Sequence, residues 1–235
     1  MKISVMQPYF FPYLGYFSLI QDSDVFVVLD NVQYVRRGWM NRNRVIGKNQ
    51  SPVYFHLSTI KAPQKTMTRQ IKIDHNREWK KTLLDKLDYY EKSAPYFEET
   101  KAMVERLISF ETDSLCDMNI HILEELCKFL GITTKFVLAS DLEIDESKII
   151  ETDDWGLEIT KTFGASDYIN LWGGRHIYSV NKYNNSNITL KFIENELVYY
   201  NQHNEMFIKS LSIIDVLMYN DRAETMDLIN KYSVS

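Results

Sequence analysis

The chain has 235 residues, of which 45% are hydrophobic, and its formal net charge is -5. This length suffices for a large buried core, and the acidic balance excludes a protein that coats nucleic acid through its overall field, so any anion site must be local. No segment has the composition of a signal peptide and none approaches the ~20 apolar residues of a membrane span, so we expect a cytoplasmic protein.

The beginning of the chain predicts the start of an α/β sheet. A short strand is expected over 2–6 and a helix from about Tyr16, joined by a stiff aromatic connector, QPYFFPYLG. Residues 24–29 (DVFVVL) form a dense apolar run with β-branched side chains, which is typical of a central strand.

The rest of the chain predicts a helical block and then a return to strands. Leucines at three- and four-residue spacing predict helix between 79 and 129, and Gly131 is a suitable stop. Further strands are expected over 52–60, 70–73, 134–138, 167–171 and 188–193, and further helices over 155–163 and 212–219. Ser210 or Ser212 is the expected N-cap of the last helix.

Polar residues follow the first two predicted strands. Gln7 follows the first strand, and Asp30, Asn31 and Gln33 follow the second. Because ligands bind at the carboxyl ends of parallel strands, we expect these side chains to face one crevice. Gly15, at the predicted helix start, lies where a ligand meets backbone N–H groups and the helix dipole.

Four arginines crowd a short segment of this acidic chain, VRRGWMNRNRVIG. Arginine suits bidentate recognition of phosphate or carboxylate, so the segment predicts an anion site. The alternative is a solvated loop whose arginines pair with the many acidic residues. The candidate ligand-binding residues here are Arg36, Arg37, Trp39, Asn41, Arg42, Asn43 and Arg44.

Two residues are candidates for acid–base chemistry. Asp30 could orient an amine, act as a general base, or pair with Arg36 or Arg37. His176 follows the tight WGGR turn, which exposes its neighbours, and the alternative is a bystander histidine. Trp172 and Arg175 of that turn are candidate substrate contacts, and Tyr9 and Tyr13 are either pocket walls or core residues.

Several chemistries lack their sequence signature. The five histidines show no HxxxH or HExxH spacing, so no metal site is expected. The chain has no GxSxG, GxxxxGK[ST] or GxGxxG motif, which argues against a serine hydrolase, a P-loop NTPase and a standard dinucleotide-binding enzyme. Cys116 and Cys127 form no metal or redox pattern and are expected in the core.

Four segments together resemble the WbqC-like family: MQPYFFPYLGYF, LDNVQYVRRGWMNRNR, INLWGGRHIY and LSIIDVLMYN. Their order and spacing run nearly from end to end. The resemblance implies a bacterial protein that makes or modifies an activated sugar for O-antigen or another surface glycan.

The first thirty-four residues also resemble pantothenate-synthetase-like nucleotidylyltransferases, with Tyr13 and Tyr16 where those enzymes carry histidines. That resemblance implies a parallel-sheet α/β core of the nucleotidylyltransferase-like (HUP/Rossmann-like) kind, here with an inserted helical block over 77–130. We expect a single domain over 1–235, with the sheet core in 1–60 and 134–235.

The leading hypothesis is a transferase that puts an acyl or aminoacyl group on the amine of a nucleotide-linked amino sugar. The arginines would hold the diphosphate, and Asp30 or His176 would take the proton. The cofactor is left open, and an acyl or aminoacyl thioester on CoA or an acyl-carrier protein is one candidate donor. The alternatives are an ATP-dependent nucleotidylyltransferase or ligase and a non-catalytic module that binds a sugar nucleotide or a carrier protein.

Overall fold

The computed structural model describes residues 1–195 and 198–235. Its strands are β1 (Lys2–Met6), β2 (Val25–Val28), β3 (Arg42–Ile46), β4 (Pro52–His56), β5 (Lys135–Leu138), β6 (Asp167–Leu171), β7 (Thr189–Asn195) and β8 (Tyr232–Val234). Its helices are α1 (Leu14–Asp22), α2 (Trp79–Leu87), α3 (Phe97–Ile108), α4 (Leu115–Leu130), α5 (Asp154–Thr162), α6 (Val180–Asn184), α7 (Ile213–Tyr219) and α8 (Arg222–Ile229).

A six-stranded sheet with the order β5-β2-β1-β6-β7-β8 forms the centre of the molecule. Its first five strands are parallel, and β8 pairs antiparallel to β7. Counted along the chain, the parallel strands lie in the order 3-2-1-4-5, which is that of Rossmann-like folds. The predicted α/β, parallel-sheet class is confirmed, and its topological switch point lies between β1 and β6.

Both faces of this sheet are covered, because alternate residues of each strand point to opposite sides. Phe26 and Val28 of β2 pack in a large core with α1, α3, α4, α7 and α8. Val25 and Val27 pack in a smaller core with α5 and α6. On the large-core side, the Ser18 hydroxyl of α1 donates to the Ile229 carbonyl of α8, 211 residues away, over 2.6 Å.

The predicted helical stretch over 79–129 is divided into three helices. A 3-10 turn over Asp88–Lys92 and a proline at 95 separate α2 from α3, since proline disfavours helical backbone in the residue before it. Ser114 caps α4, its hydroxyl accepting from the Asp117 N–H at 3.2 Å. Gly131 ends α4 with φ of 85°, as predicted.

The arginine segment, for which no strand was predicted, contains strand β3. It pairs antiparallel with β4, which ends at His56 rather than at Ile60. The strand expected over 70–73 is a 3-10 turn over Thr68–Gln70 followed by isolated bridges. Each of these bridges pairs a single residue, so the described structure has no continuous ladder of strand hydrogen bonds in this stretch.

The C-terminal part contains the predicted helix α7 and, after it, helix α8 and strand β8, which were not predicted. Ser212 caps α7, as expected, and its hydroxyl accepts from the Ile214 N–H at 3.2 Å. The capping box of Asp221 and Glu224 starts α8, and β8 follows. No helix in the described part of the chain is long and apolar enough to cross a membrane.

Candidate functional site

The segments that follow β1 and β2 meet at the carboxyl edge of the sheet. The Phe10 N–H donates to the Trp39 carbonyl at 3.0 Å. The Asn119 amide of α4 donates to the carbonyls of Pro8 and Met40 at 2.8 and 2.7 Å. The aromatic connector and the arginine segment are therefore fixed to each other.

Asn43 has a structural position rather than an open one. It is 3% exposed, and its amide donates to the carbonyls of Phe10 and Phe11 at 3.2 and 2.8 Å. Alternation along β3 turns this side chain inward and turns Arg42 and Arg44 outward. Asn43 is one of the predicted ligand-binding residues, but in the structure its side chain supports the site from the buried side of β3.

Arg42 and Arg44 lie on the outer face of the β3–β4 hairpin among aromatic rings. The Arg42 guanidinium carbon is 4.7 Å from the Tyr54 ring centre, and that of Arg44 is 5.5 Å from Trp39. Trp39 and Tyr54 stack with their ring centres 6.4 Å apart. The Nε atoms of both arginines are buried and have no hydrogen-bond partner among the residues that the structure describes.

Arg36 and Arg37 form a second group, beside a cavity of about 190 Å³ that Lys61, Tyr34 and Asn41 also line. Arg36 donates to the Ala62 carbonyl, and the buried Oδ1 of Asn41 has no partner. Burial raises the pKa of Tyr34, and a hydrogen bond with Thr59 and the charges of Arg36 and Arg42 oppose this rise. Tyr34 thus lies between the two arginine groups.

We call Arg36, Arg37, Trp39, Arg42, Arg44, Tyr54 and Lys61 the basic strip. Within the described residues none of its cations pairs with a carboxylate, whereas Arg77 and Arg106 pair with Asp74 and Glu125. Burial, with the charges of Arg42 and Lys86, lowers the pKa of nearby His56. The alternative of a loop neutralised by ion pairs therefore finds no support, and the strip has the charge of an anion-binding surface.

The Arg44 end of the strip adjoins the start of α1. Arg44 donates to the Ser210 carbonyl at 3.2 Å, and Ser210, Tyr13, Gly15 and Lys209 line a cavity of about 130 Å³. A Cβ on Gly15 would lie 2.5 Å from the Asn195 Oδ1, so this close approach requires glycine. No side chain of the described residues caps the α1 N-terminus, and first-turn N–H groups of a helix are suited to an anion.

A buried carboxylate holds the segment that carries Lys209 and Ser210. Asp215 of α7 is fully buried and accepts from the Tyr200 hydroxyl at 2.6 Å and the Gln202 amide at 3.1 Å. The Tyr90 hydroxyl also donates to it. Burial raises the pKa of Asp215 to about 6, although these three donors act to lower it.

Asp30 lies where β2 and β5 end. It is 3% exposed, and its Oδ1 accepts from the Ser140 N–H at 2.9 Å. No ion pair joins it to Arg36 or Arg37 in the described part of the chain, so the expected alternative of a simple ion pair is not found. Next to it, Asn31 has a buried Oδ1 without a partner.

The WGGR turn lies beyond β6, on the other side of the switch point. Trp172, Arg175 and His176 belong to a 3-10 segment over Trp172–Ile177, in which the Arg175 guanidinium carbon is 4.3 Å from the Trp172 ring centre. His176 is exposed. The turn is fixed through Asn170, whose amide donates to the Tyr178 hydroxyl at 2.7 Å.

The remaining predicted residues lie along the same edge. The Gln7 carbonyl accepts from the Tyr16 hydroxyl at 2.6 Å. The Tyr9 ring centre is 5.3 Å from that of Tyr16. Gln33 is exposed and forms an isolated bridge with Met67.

The family model of the WbqC-like protein family matches residues 7–227. The chain belongs to this family. The WbqC-like chain is also 24% identical over 233 residues to the uncharacterized protein Rv1507c of Mycobacterium tuberculosis, with 97% of each chain covered. No solved structure matches it. The resemblance seen in the sequence is thus confirmed, and neither name assigns a reaction.

Residues of this WbqC-like site that were not predicted include Tyr54, Lys61 and Lys209. Tyr54 could have been found, because it alternates with the apolar Phe55 on a predicted strand and therefore turns outward. Lys61 and Lys209 come from irregular segments, for which no periodicity predicts a direction.

Proposed function

We propose that this chain is a transferase of bacterial surface-glycan synthesis, such as that of O-antigen. It would place an acyl or aminoacyl group on the amine of a nucleotide-linked amino sugar. The observation that carries the proposal is the basic strip, which gathers five cations without a carboxylate partner among the described residues, in a chain of net charge -5. Membership of the WbqC-like family supports the glycan context.

The strip has the chemistry to hold a nucleoside diphosphate. Guanidinium groups bind phosphate oxygens through two parallel hydrogen bonds, and Arg42 and Arg44 are half-buried residues on the outer face of the hairpin. Trp39 and Tyr54 offer ring faces for a base or sugar. The cavity beside Arg36 and Arg37, about 190 Å³, suits a phosphate-sized group rather than a whole nucleotide.

Acyl transfer to an amine requires a base and correct orientation more than a protein nucleophile. The amine nitrogen would attack the thioester carbonyl, a C–N bond would form as the C–S bond breaks, and the thiol would leave. Asp30, a buried carboxylate at the carboxyl edge, is our candidate for receiving the amine proton. His176 on the neighbouring turn is the second candidate, and CoA or an acyl-carrier protein would bring the donor.

Calorimetric titration with UDP- and dTDP-linked amino sugars tests the binding step. We expect Arg42→Ala and Arg44→Ala each to weaken binding at least tenfold, because each removes charge-assisted hydrogen bonds to phosphate. The matched control is Arg77→Ala, since Arg77 pairs with Asp74 outside the strip. Equal affinity of the parent and the strip variants for these ligands would contradict the proposal.

The 3-2-1-4-5 strand order favours an ATP-dependent nucleotidylyltransferase as the second candidate. Binding of ATP with Mg²⁺ and release of pyrophosphate with a carboxylic acid would support it over the transferase. A third outcome is tight sugar-nucleotide binding without turnover. If Asp30→Asn and His176→Gln then kept full cellular function, the chain would be a binding module.

A further inference from the structure

A groove lies at the β5 edge of the sheet, away from the basic strip. It has a volume of about 640 Å³, between α4 and β5. One wall is a face of α4. It consists of Asp117, Ile120, His121 and Glu124, whose three- and four-residue spacing puts them on the same side of the helix. We call it the edge groove.

The floor of the edge groove is an open strand edge. β5 is the last strand of the sheet and pairs with β2 alone among the described strands. Phe136, Val137 and Leu138 alternate between the two faces of the sheet, yet all three line the groove. The groove therefore runs along the edge itself, where unpaired N–H and C=O groups are a template for another strand.

An apolar surface lies beside this strand edge. Phe110 is 38% exposed and stacks on His121 with ring centres 4.1 Å apart. Ile120 and Phe136 extend the apolar surface and are only half-buried. Alternate side chains of an added strand would find pockets here, which is how such additions gain specificity.

The edge groove is acidic, and its negative charge favours a partner with basic side chains. Its titratable lining consists of Asp117, Glu124, Asp141 and His121. The three carboxylates are exposed and form no ion pair within the described residues. A second copy of the chain would set three carboxylates against three more, whereas lysine or arginine side chains would neutralise them.

We propose that the edge groove binds an extended segment of a partner protein whose side chains on the face toward α4, at every second position, are in turn apolar and lysine or arginine. The segment adds to β5 as a further strand of the sheet. Its apolar side chains pack on Phe110 and Phe136, and its basic side chains reach Asp117, Glu124 and Asp141. Lys135, at the start of β5, is exposed and limits the added strand at that end.

The probe is a fluorescein-labelled seven-residue peptide, KTVTKTV with blocked ends, in which lysine and valine share one face of the strand, and the readout is fluorescence anisotropy on the full chain. We expect saturable binding that weakens at least tenfold in the double variant Asp117→Asn/Glu124→Gln. The matched control is Glu98→Gln/Glu105→Gln, which removes two exposed carboxylates with the same seven-residue spacing from α3. The control should bind as the parent does.

Two further peptides test the strand geometry. A peptide N-methylated at alternate residues keeps its charge but loses edge hydrogen bonds, and it should not bind. The same peptide with glutamate in place of both lysines should not bind either. Equal binding of either peptide, equal loss in both double variants, or no binding of the lysine–valine peptide would overturn the proposal. So would a dimer in sedimentation that Phe136→Lys dissociates, because the occupant would then be a second copy.

Discussion

At the scale of single residues, buried amides hold the candidate site in place. Asn43 and Asn119 each donate to two backbone carbonyls of the segments that bear the aromatic connector and the arginines. Carbonyls left buried without donors cost free energy, so each amide fixes the position of a loop that could otherwise move. The site is thus shaped by residues that no ligand needs to touch.

Asn43→Ala should lower the free energy of unfolding by about 2 to 3 kcal/mol, because two buried carbonyls lose their donor. Urea unfolding followed by circular dichroism measures this loss. The control is Asn185→Ala, since Asn185 is exposed and its substitution should cost less than about 0.5 kcal/mol. A loss for Asn43→Ala no larger than that of the control would contradict the structural role.

Asp215 makes the stability of the fold depend on pH. Its pKa rises from 3.8 to about 6 in the folded protein because it is buried. The folded state therefore binds this proton more tightly than the unfolded state. The resulting stabilisation is fully present below the unfolded pKa and is lost as the pH rises through about 6.

Asp215→Asn removes this titration. Between pH 4 and pH 6.5 the stability of the parent should fall relative to the variant by about 2 kcal/mol, since one pKa unit is worth about 1.4 kcal/mol and part of the effect is already lost at pH 4. Urea unfolding of both proteins across this range measures the difference. Asp227→Asn, at an exposed position on α8, serves as control. Parallel curves for the parent and Asp215→Asn would show that Asp215 does not titrate differently in the fold.

At the scale of elements, the sequence predicted the buried strands better than the exposed hairpin. β2 is recognisable because all four of its residues are apolar and buried. β3 (RNRVI) departs from the usual pattern at Asn43, which is polar although it turns inward, whereas its arginines turn outward as polar residues commonly do. Its strand character comes from pairing with β4, which a local reading of the sequence does not contain.

The end of α4 gives a test at this scale. Gly131 has φ of 85°, a conformation that costs a residue with a Cβ about 1 kcal/mol. Gly131→Ala should therefore lower the melting temperature by about 2 to 4 °C for a chain of this size. Gly173→Ala is the control, since a Cβ there meets nothing within 4 Å. An unchanged melting temperature for Gly131→Ala would contradict the strained cap.

At the scale of the whole molecule, one core joins segments that are far apart in sequence. The large hydrophobic cluster includes Phe10 of the connector, Phe55 of the hairpin, Leu107 of α3 and Ile229 of α8. Because the helical block and the sheet share this core, neither buries its apolar surface alone. The single domain expected from the sequence remains a prediction with a clear test.

Calorimetric unfolding should show one transition, with equal calorimetric and van't Hoff enthalpies. Circular dichroism and tryptophan fluorescence should report the same midpoint. Two resolved transitions, or midpoints that differ between the probes, would show that the helical block over 77–130 unfolds separately.

The sequence predicted at which edge of the sheet the candidate residues lie better than it predicted how their side chains are arranged. Its residues could be assigned to the carboxyl edge because strand ends converge there in any parallel sheet. The inward turn of Asn43 and the division of the arginines into two groups depend on the β3–β4 pairing. Asp215 was missed because its partners, Tyr90, Tyr200 and Gln202, come from distant segments.

The bond between Ser18 and Ile229 bears on how the protein is made. During synthesis α1 leaves the ribosome early, while the α8 residue that receives its hydroxyl hydrogen bond is translated 211 residues later. At roughly 5 to 20 residues per second, about ten seconds or more pass between the synthesis of α1 and that of α8, and during this time α8 cannot cover the apolar side of α1. A nascent chain halted before α8 should therefore be a chaperone client, and release of the full chain should end that dependence.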